Sequence, residues 1–328
     1  MRKIAVIGSG SWGVALSVYL ASRGNEVKIW SFSEEEINLI NNEKKCKFLP
    51  NIKLPENIFA SNNFEDVIND SEIILHVTPS KFVRSTIKQY KSFVKDNQPV
   101  IMCSKGFEPE TELTLDEVIK QELPNIEYGI LSGPSHAEEV SVNVPTALVI
   151  ASEYEDVILK IREIFSSNII RIYSSKDVKG VEIGGALKNI IAFCAGIAVG
   201  LNLGDNTFAA LATRGLVEIT RLGTAMGAEE KTFYGLTGLG DLIVTCGSKH
   251  SRNRRAGEMI GKGFSIEEAK KEIGMTIESV DNIDVAYSLS KKYKIEMPIV
   301  ETVYEVLYEG LKPKDAVDKL MTRTPKDE

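Results

Sequence analysis

The amino-acid sequence predicts an α/β domain built on a parallel sheet, followed by an all-helical (all-α) domain. Three observations carry this reading. Short β-branched runs alternate with helix-like segments in the first half, a glycine triplet follows the first run, and strand signals fade after about residue 178. The expected division is residues 1–178 for the first domain and 179–328 for the second.

The segments Ile4–Ile7, Val27–Trp30, Ile73–Val77 and Val100–Cys103 are short, apolar and bounded by turn residues, as buried parallel strands are. Between the first two, Trp12 to Ser22 has helical periodicity, and Gly24 follows as a C-cap. This is a βαβ unit with a right-handed crossover. Later strands are expected at Gly129–Leu131, Ala147–Ala151 and Ile169–Tyr173. Beyond them, Val181–Val199, Phe208–Met226, Arg254–Ile260, Ile266–Ile273, Val280–Lys292 and Ile299–Tyr308 have helical patterns. Pro298 stands near the start of the last of these and Gly310 just past its end, the usual asymmetry of helix boundaries.

Composition narrows the function classes. Hydrophobic residues make up 43% and charged residues 26%, enough to bury full cores. A net charge of -7, from 39 basic and 46 acidic residues, argues against general nucleic-acid binding but leaves room for a local pocket for a small anion. Cys46, Cys103, Cys194 and Cys246 form no CxxC pair, and His76, His136 and His250 form no HExxH, so no metal site is expected. The cysteines read as reduced thiols of a cytoplasmic protein. The run Ile4–Ile7 is broken at once by Gly8 and is too short for a signal core. Ile183 to Leu203 is the most membrane-like stretch, but Lys188 and Asn189 interrupt it, so no integral membrane contact is expected.

Gly8-Ser9-Gly10-Ser11-Trp12-Gly13 is a GxGxxG. Such a string is weak alone; its place after a strand and before a helix in the first βαβ unit makes it a dinucleotide fingerprint of Rossmann type. Gly8 permits the tight turn, Gly10 lets the backbone approach a pyrophosphate, and Gly13 lets the helix pack on the sheet with its amino end toward the anion. The competing reading is a glycine turn with no ligand.

The acid that NAD sites place at the end of the second strand is missing. Here Trp30-Ser31-Phe32-Ser33 precedes Glu34-Glu35-Glu36. Ser31 or Ser33 could donate to a 2′-phosphate, yet no arginine stands beside them and three glutamates do. Those glutamates have a simpler reading as the acidic first turn of a helix. NAD and NADP both stay open.

Four further segments are unusual. Ser104-Lys105-Gly106 lies at a strand end, where open α/β sheets bind ligands. Ser132-Gly133-Pro134-Ser135-His136-Ala137 is a tight turn leaving another strand. A Ser135-His136 nucleophile pair lacks both an acidic orienter and a GxSxG elbow. Gly184-Gly185-Ala186-Leu187-Lys188-Asn189 sets a lysine among small apolar residues, and buried lysines are rare unless paired or functional, whereas Lys105 alone reads as an ordinary solvated lysine. Gly238-Leu239-Gly240-Asp241 precedes Ser251-Arg252-Asn253-Arg254-Arg255, where Ser251 opens a helix whose free N–H groups favour an anion and Arg252 would grip phosphate. The alternative for these arginines is a charged surface.

With these strings in place the chain resembles the bacterial-type NAD(P)-dependent glycerol-3-phosphate dehydrogenases over nearly all 328 residues. Ile7 to Gly13, Ser104-Lys105-Gly106, Ser132 to Ser135, Gly184 to Asn189, Gly235 to Leu242 and Ser251 to Arg255 carry the resemblance. It implies hydride transfer between NAD(P)H and dihydroxyacetone phosphate, giving sn-glycerol 3-phosphate, the backbone of glycerophospholipids. It implies that Lys188 exchanges the proton at the substrate oxygen and that Lys105 touches substrate and cofactor. Gly133, Ser135 and Asp241 would line the substrate site, Asp241 with a catalytic share, and Ser251, Arg252 and Asn253 would hold the substrate. Gly8, Gly10, Ser11, Trp12, Gly13, Phe32, Ala137, Arg252, Thr276 and Glu278 would face the cofactor. The family often carries a basic residue just after the second strand, where Phe32 stands here. The expected partners are dihydroxyacetone phosphate and sn-glycerol 3-phosphate, with a second copy of the chain in a homodimer.

Two rival readings differ in what they require. A β-hydroxyacid dehydrogenase also uses a helix-borne lysine, but the Ser251-Arg252-Asn253 string and the lack of that family's own substrate motifs weigh against it. A cofactor-sensing module without catalysis would not need Lys188, Lys105 and Asp241 together.

Overall fold

The computed structural model describes residues Met1 to Thr324. They form two compact units, one of Met1–Glu108 and Leu113–Glu182, the other of Pro109–Glu112 and the residues from Ile183 onward.

The first unit is an eight-stranded sheet. Its strands are β1 (Lys3–Ile7), β2 (Glu26–Trp30), β3 (Ile58–Ser61), β4 (Ile73–His76), β5 (Val100–Met102), β6 (Tyr128–Ser132), β7 (Thr146–Ala151) and β8 (Ile170–Ser175), in the spatial order 3-2-1-4-5-6-7-8. All neighbours are parallel except β6 and β7. The chain runs outward from β1 to β3 and then returns to β1's other side, where Ile4 pairs with Ile73. The switch point of this open sheet therefore lies at the carboxyl ends of β1 and β4, the place where such sheets bind ligands.

The helices of this unit are α1 (Ser11–Ser22), α2 (Glu34–Asn38), α3 (Phe64–Ile68), α4 (Val83–Tyr90), α5 (Leu115–Glu122), α6 (Ala137–Val140) and α7 (Glu155–Phe165). The central strands are apolar throughout because both faces are covered, and Val6, Ile74, Leu75 and Ile101 are fully buried. At the edge beside β3, β2 alternates buried and half-buried residues. Strand β3 carries no apolar run in the sequence because it buries only alternate residues, Ile58 and Ala60, and leaves Phe59 half exposed.

From α8 (Val178–Gly200) onward the chain is helical: α9 (Asp205–Ala225), α10 (Glu230–Phe233), α11 (Asp241–Gly247), α12 (Arg252–Gly261), α13 (Ile266–Ile273), α14 (Glu278–Lys292), α15 (Pro298–Tyr308) and α16 (Pro313–Met321). The division between units falls inside α8, so no linker marks it in the sequence. Among the described residues α8 alone is long and apolar enough to cross a membrane, and 94% of its apolar window is buried inside the protein. Local signals set the helix ends. Ser265 and Glu268 form a reciprocal capping box at α13, Gly274 closes it in the left-handed region, and Pro298 and Pro313 open α15 and α16. Helix α16 was not expected, since of its residues only Ala316 is buried.

Candidate active site

The carboxyl edge of the first unit's sheet gathers one group of the expected residues. Strand β1 ends at Ile7, and Gly8 turns the chain at φ +123°, a backbone state few other residues adopt. A Cβ on Gly13 would lie 2.1 Å from the Gly8 carbonyl oxygen, so that glycine is demanded by the packing of α1 on the turn. Gly10 differs. Its φ of -66° suits any residue, and a Cβ there would meet nothing within 4 Å. The fold therefore does not require glycine at position 10, and the space beside it is open. Gly10 is also the N-cap of α1, with no side-chain cap and no acidic residue in the first turn, which leaves the helix amino end to an anion. The residues fit a dinucleotide. Ser11, at the start of α1, and Ala137, at the start of α6, are buried, and the Trp12 indole N–H is a buried donor with no partner among the described residues.

Lys105, Gly133 and Ser135 come together at the ends of β5 and β6. The Lys105 ammonium donates to the Gly133 carbonyl at 3.3 Å, and the Ser135 hydroxyl donates to the same oxygen at 3.1 Å. Gly133 sits at φ +132°, a backbone state that favours glycine. Phe32, past the end of β2, is 81% exposed.

One of the three glutamates after that strand end turns inward. Glu36, in the first turn of α2, extends its carboxylate back to the serines of β1's and β2's ends. Its Oε2 accepts from Ser9 and, at 3.0 Å, from Ser31. Nothing in the spacing marked Glu36 apart from Glu34 and Glu35. The only available signal was Ser33 three residues earlier, an N-cap that fixes which glutamate faces inward.

The second unit assembles the other group around α8. Gly184 approaches the π-turn at Leu236–Gly240 so closely that a Cβ would lie 2.7 Å from the Thr237 carbonyl oxygen. That turn delivers Asp241 to the start of α11, facing Lys188 one helical turn along α8 from Gly184. The Lys188 ammonium donates to Asp241 Oδ1 at 2.6 Å and to the Thr245 hydroxyl at 2.7 Å. Lys188 is 5% exposed and Asp241 1%. Thr245 stands four residues after Asp241, on the same face of α11, and its role was not read from the sequence. Cys246 is close by, and burial pushes its thiol up to about 12, which disfavours the thiolate.

Ser251 caps α12 by accepting from the Arg254 N–H at 3.2 Å, the helix start expected from the sequence. Arg252 donates to the Thr276 carbonyl at 3.0 Å, which joins two of the expected residues. Asn253 donates to Asn189 at 3.0 Å and accepts from the Ser279 N–H at 2.9 Å; Asn189 donates to Glu278 at 2.7 Å. Asn189, next to Lys188, is thus the link between Asn253 and Glu278 that residue type alone did not reveal. Arg254 lies 3.8 Å from Glu258 on its own helix, and Arg255 is exposed.

A parallel sheet with an open glycine cradle at its switch point, in a chain that also backs a buried lysine with an acid, describes a dinucleotide-dependent dehydrogenase. Comparison with known proteins sharpens this. Residues 3–158 match the family model of the NAD-dependent glycerol-3-phosphate dehydrogenase N-terminus and residues 177–318 that of its C-terminus. A glycerol-3-phosphate dehydrogenase [NAD(P)+] of Fusobacterium nucleatum is 48% identical over 99% of this chain and 98% of its own length. The crystal structure of glycerol-3-phosphate dehydrogenase from Coxiella burnetii superposes with a TM-score of 0.95 at 37% identity, covering 98% of this chain and 99% of that one. The Saccharomyces cerevisiae glycerol-3-phosphate dehydrogenase gives a TM-score of 0.82 at 28% identity, covering 97% and 99%. The chain belongs to the NAD-dependent glycerol-3-phosphate dehydrogenase family.

Proposed function

We propose that this chain interconverts dihydroxyacetone phosphate and sn-glycerol 3-phosphate with a nicotinamide dinucleotide, supplying the glycerophospholipid backbone. The observation that carries the chemistry is the buried Lys188 ammonium, held by Asp241 and Thr245. When bound, NAD(P)H supplies the hydride. Reduction of the ketone puts negative charge on its oxygen, and Lys188 delivers the proton that neutralises it; in the reverse direction Lys188 takes the hydroxyl proton. Asp241 and Thr245 fix the ammonium's position, so little reorganisation is needed as charge develops.

The division of labour follows the two units. Residues 1–178 serve the dinucleotide through Gly8, Gly10, Ser11, Trp12, Gly13, Phe32 and Ala137, and residues 179–328 carry the proton donor. Lys105, Gly133 and Ser135 contact the substrate, and Lys105 also the cofactor. Ser251, Arg252 and Asn253 hold the substrate phosphate end, with Arg252, Thr276 and Glu278 toward the cofactor. A homodimer and a cytoplasmic location complete the reading and rest on the resemblance alone; light scattering of the purified chain tests the first.

The deciding experiment follows absorbance at 340 nm with dihydroxyacetone phosphate and each reduced cofactor, beside a panel of β-keto acids. Turnover confined to the keto acids would replace this reading with a β-hydroxyacid dehydrogenase. Cofactor binding without any consumption would make the chain a sensor.

A further inference from the structure

We propose that Glu36 selects the cofactor, accepting a ribose 2′-hydroxyl and repelling a 2′-phosphate, so that the enzyme works with NADH in preference to NADPH. The inference rests on the reading of Gly8 to Gly13 as the dinucleotide cradle.

The geometry is that of a displaced acid. Dinucleotide sites of this fold that take NAD place a carboxylate at the end of the second strand. Here β2 ends in Trp30 and Ser31, and the carboxylate arrives instead from the first turn of α2. Ser33 caps that helix by accepting from the Glu36 N–H at 3.3 Å, which fixes Glu36 as the third residue of the turn. Its Oε2 then accepts from Ser9, inside the glycine loop, and from Ser31 at 3.0 Å, and the two serine hydroxyl oxygens lie 2.8 Å apart. Ser9 and Ser31 are buried, while Glu36 keeps partial exposure. Both hydrogen bonds fall on Oε2, so among the described residues Oε1 remains to accept from a ligand.

The same network weakens the case for NADP. Of the two serines that might have donated to a 2′-phosphate, Ser31 gives its proton to Glu36, and Ser33 is held at the helix cap, its oxygen accepting from the Glu36 N–H. No lysine or arginine occurs from Ser31 to Glu43, whereas Glu34, Glu35 and Glu36 stand together. A phosphate carries nearly two negative charges at neutral pH and would be brought against this cluster, while a hydroxyl has a proton to give it.

The test compares the parent, Glu36→Gln and Glu36→Ala. Dissociation constants for NADH and NADPH come from nucleotide fluorescence, and those for 5′-AMP and 2′,5′-ADP from calorimetry. Thermal melting confirms that each variant is folded. The parent is expected to favour NADH, and AMP over 2′,5′-ADP, by about tenfold or more, the worth of one charge-assisted hydrogen bond. Both variants should erase most of that ratio, chiefly by tighter binding of the phosphorylated ligands. A parent that favours NADPH, or ratios in both variants within twofold of the parent's, would overturn the proposal. A Gly10→Val control separates the premise: if it leaves binding of every nucleotide unchanged, the cradle reading fails, whatever Glu36 does.

Discussion

The ammonium of Lys188 and the carboxylate of Asp241, 53 residues apart in sequence, meet at 2.6 Å in a buried part of the helical unit. Burying two charges has a large desolvation cost, and replacing such a pair by apolar groups often leaves stability unchanged or improves it. The pair is therefore poorly explained as a stability device. A lysine whose charge is maintained out of water is, however, what proton transfer to a developing alkoxide needs.

Lys188→Met keeps the length and apolar stem while removing the proton. Turnover should fall by about 100-fold or more, as for a lost general acid, with NADH affinity nearly unchanged. Single-turnover rates and nucleotide fluorescence measure the two separately. Activity within about threefold of the parent would take Lys188 out of the mechanism.

Gly184→Ala probes how the pair is aimed. The added methyl would sit 2.7 Å from the Thr237 carbonyl, so α8 and the turn before Asp241 must part. We expect a loss of about 1–3 kcal/mol in urea unfolding, as for overpacking, and a fall in kcat larger than the change in KM. A variant as active and as stable as the parent would show that the close approach does not aim Asp241.

The sequence made some of this legible and hid the rest for physical reasons. Periodicity and turn residues disclosed the buried strands β1, β4 and β5 and the long helices, because those elements bury a whole face. Strand β3 and helix α16 bury too little for that signal. Glycine strings marked the turn after β1 and the Lys188 helix. Partners were another matter: Thr245 reaches Lys188, Asn189 bridges Asn253 and Glu278, and Glu36 reaches Ser9 through contacts that only folding creates. No acid stands at the end of β2 itself, and the carboxylate that reaches the Ser31 hydroxyl belongs to Glu36, six residues beyond Trp30 on the next helix.

Glu218 makes stability depend on pH. It is buried on α9 and accepts from the N–H groups of Ile299 and Val300 at the start of α15, at 2.8 and 3.2 Å. Burial outweighs these bonds and pushes its carboxyl from 4.5 up to about 7. Below pH 4.5 the group is protonated in folded and unfolded chains alike, and its contribution is fully present. Between 4.5 and about 7 the unfolded chain ionises first, so stability falls as pH rises through this window. The loss is on the order of 3 kcal/mol. Glu218→Gln should flatten the fall in Tm between pH 5 and 8. Identical slopes for parent and variant would show that Glu218 ionises normally in the folded chain.

Arg252 tests phosphate recognition. It stands in the first turn of α12, just after the Ser251 cap, where the helix already favours an anion, and its Nη1 is steadied by the Thr276 carbonyl at 3.0 Å. That bond occupies one edge of the guanidinium and leaves donors elsewhere on the fork for phosphate. Arg252→Lys should damage activity strongly, because a point charge cannot hold the Thr276 carbonyl and a phosphate in the same plane. Arg252→Ala should lose about 2–4 kcal/mol in kcat/KM, the cost of a buried charge-assisted hydrogen bond and the alignment it provides. Part of that loss belongs in kcat, since the phosphate positions the carbonyl for reaction. Arg255→Ala, on an exposed position of the same helix, is the control and should behave like the parent. Unphosphorylated dihydroxyacetone should be a poor substrate for the parent and lose little more in Arg252→Ala. Equal impairment of both substrates, together with weakened NADH binding, would instead assign Arg252 to the cofactor through its contact with Thr276.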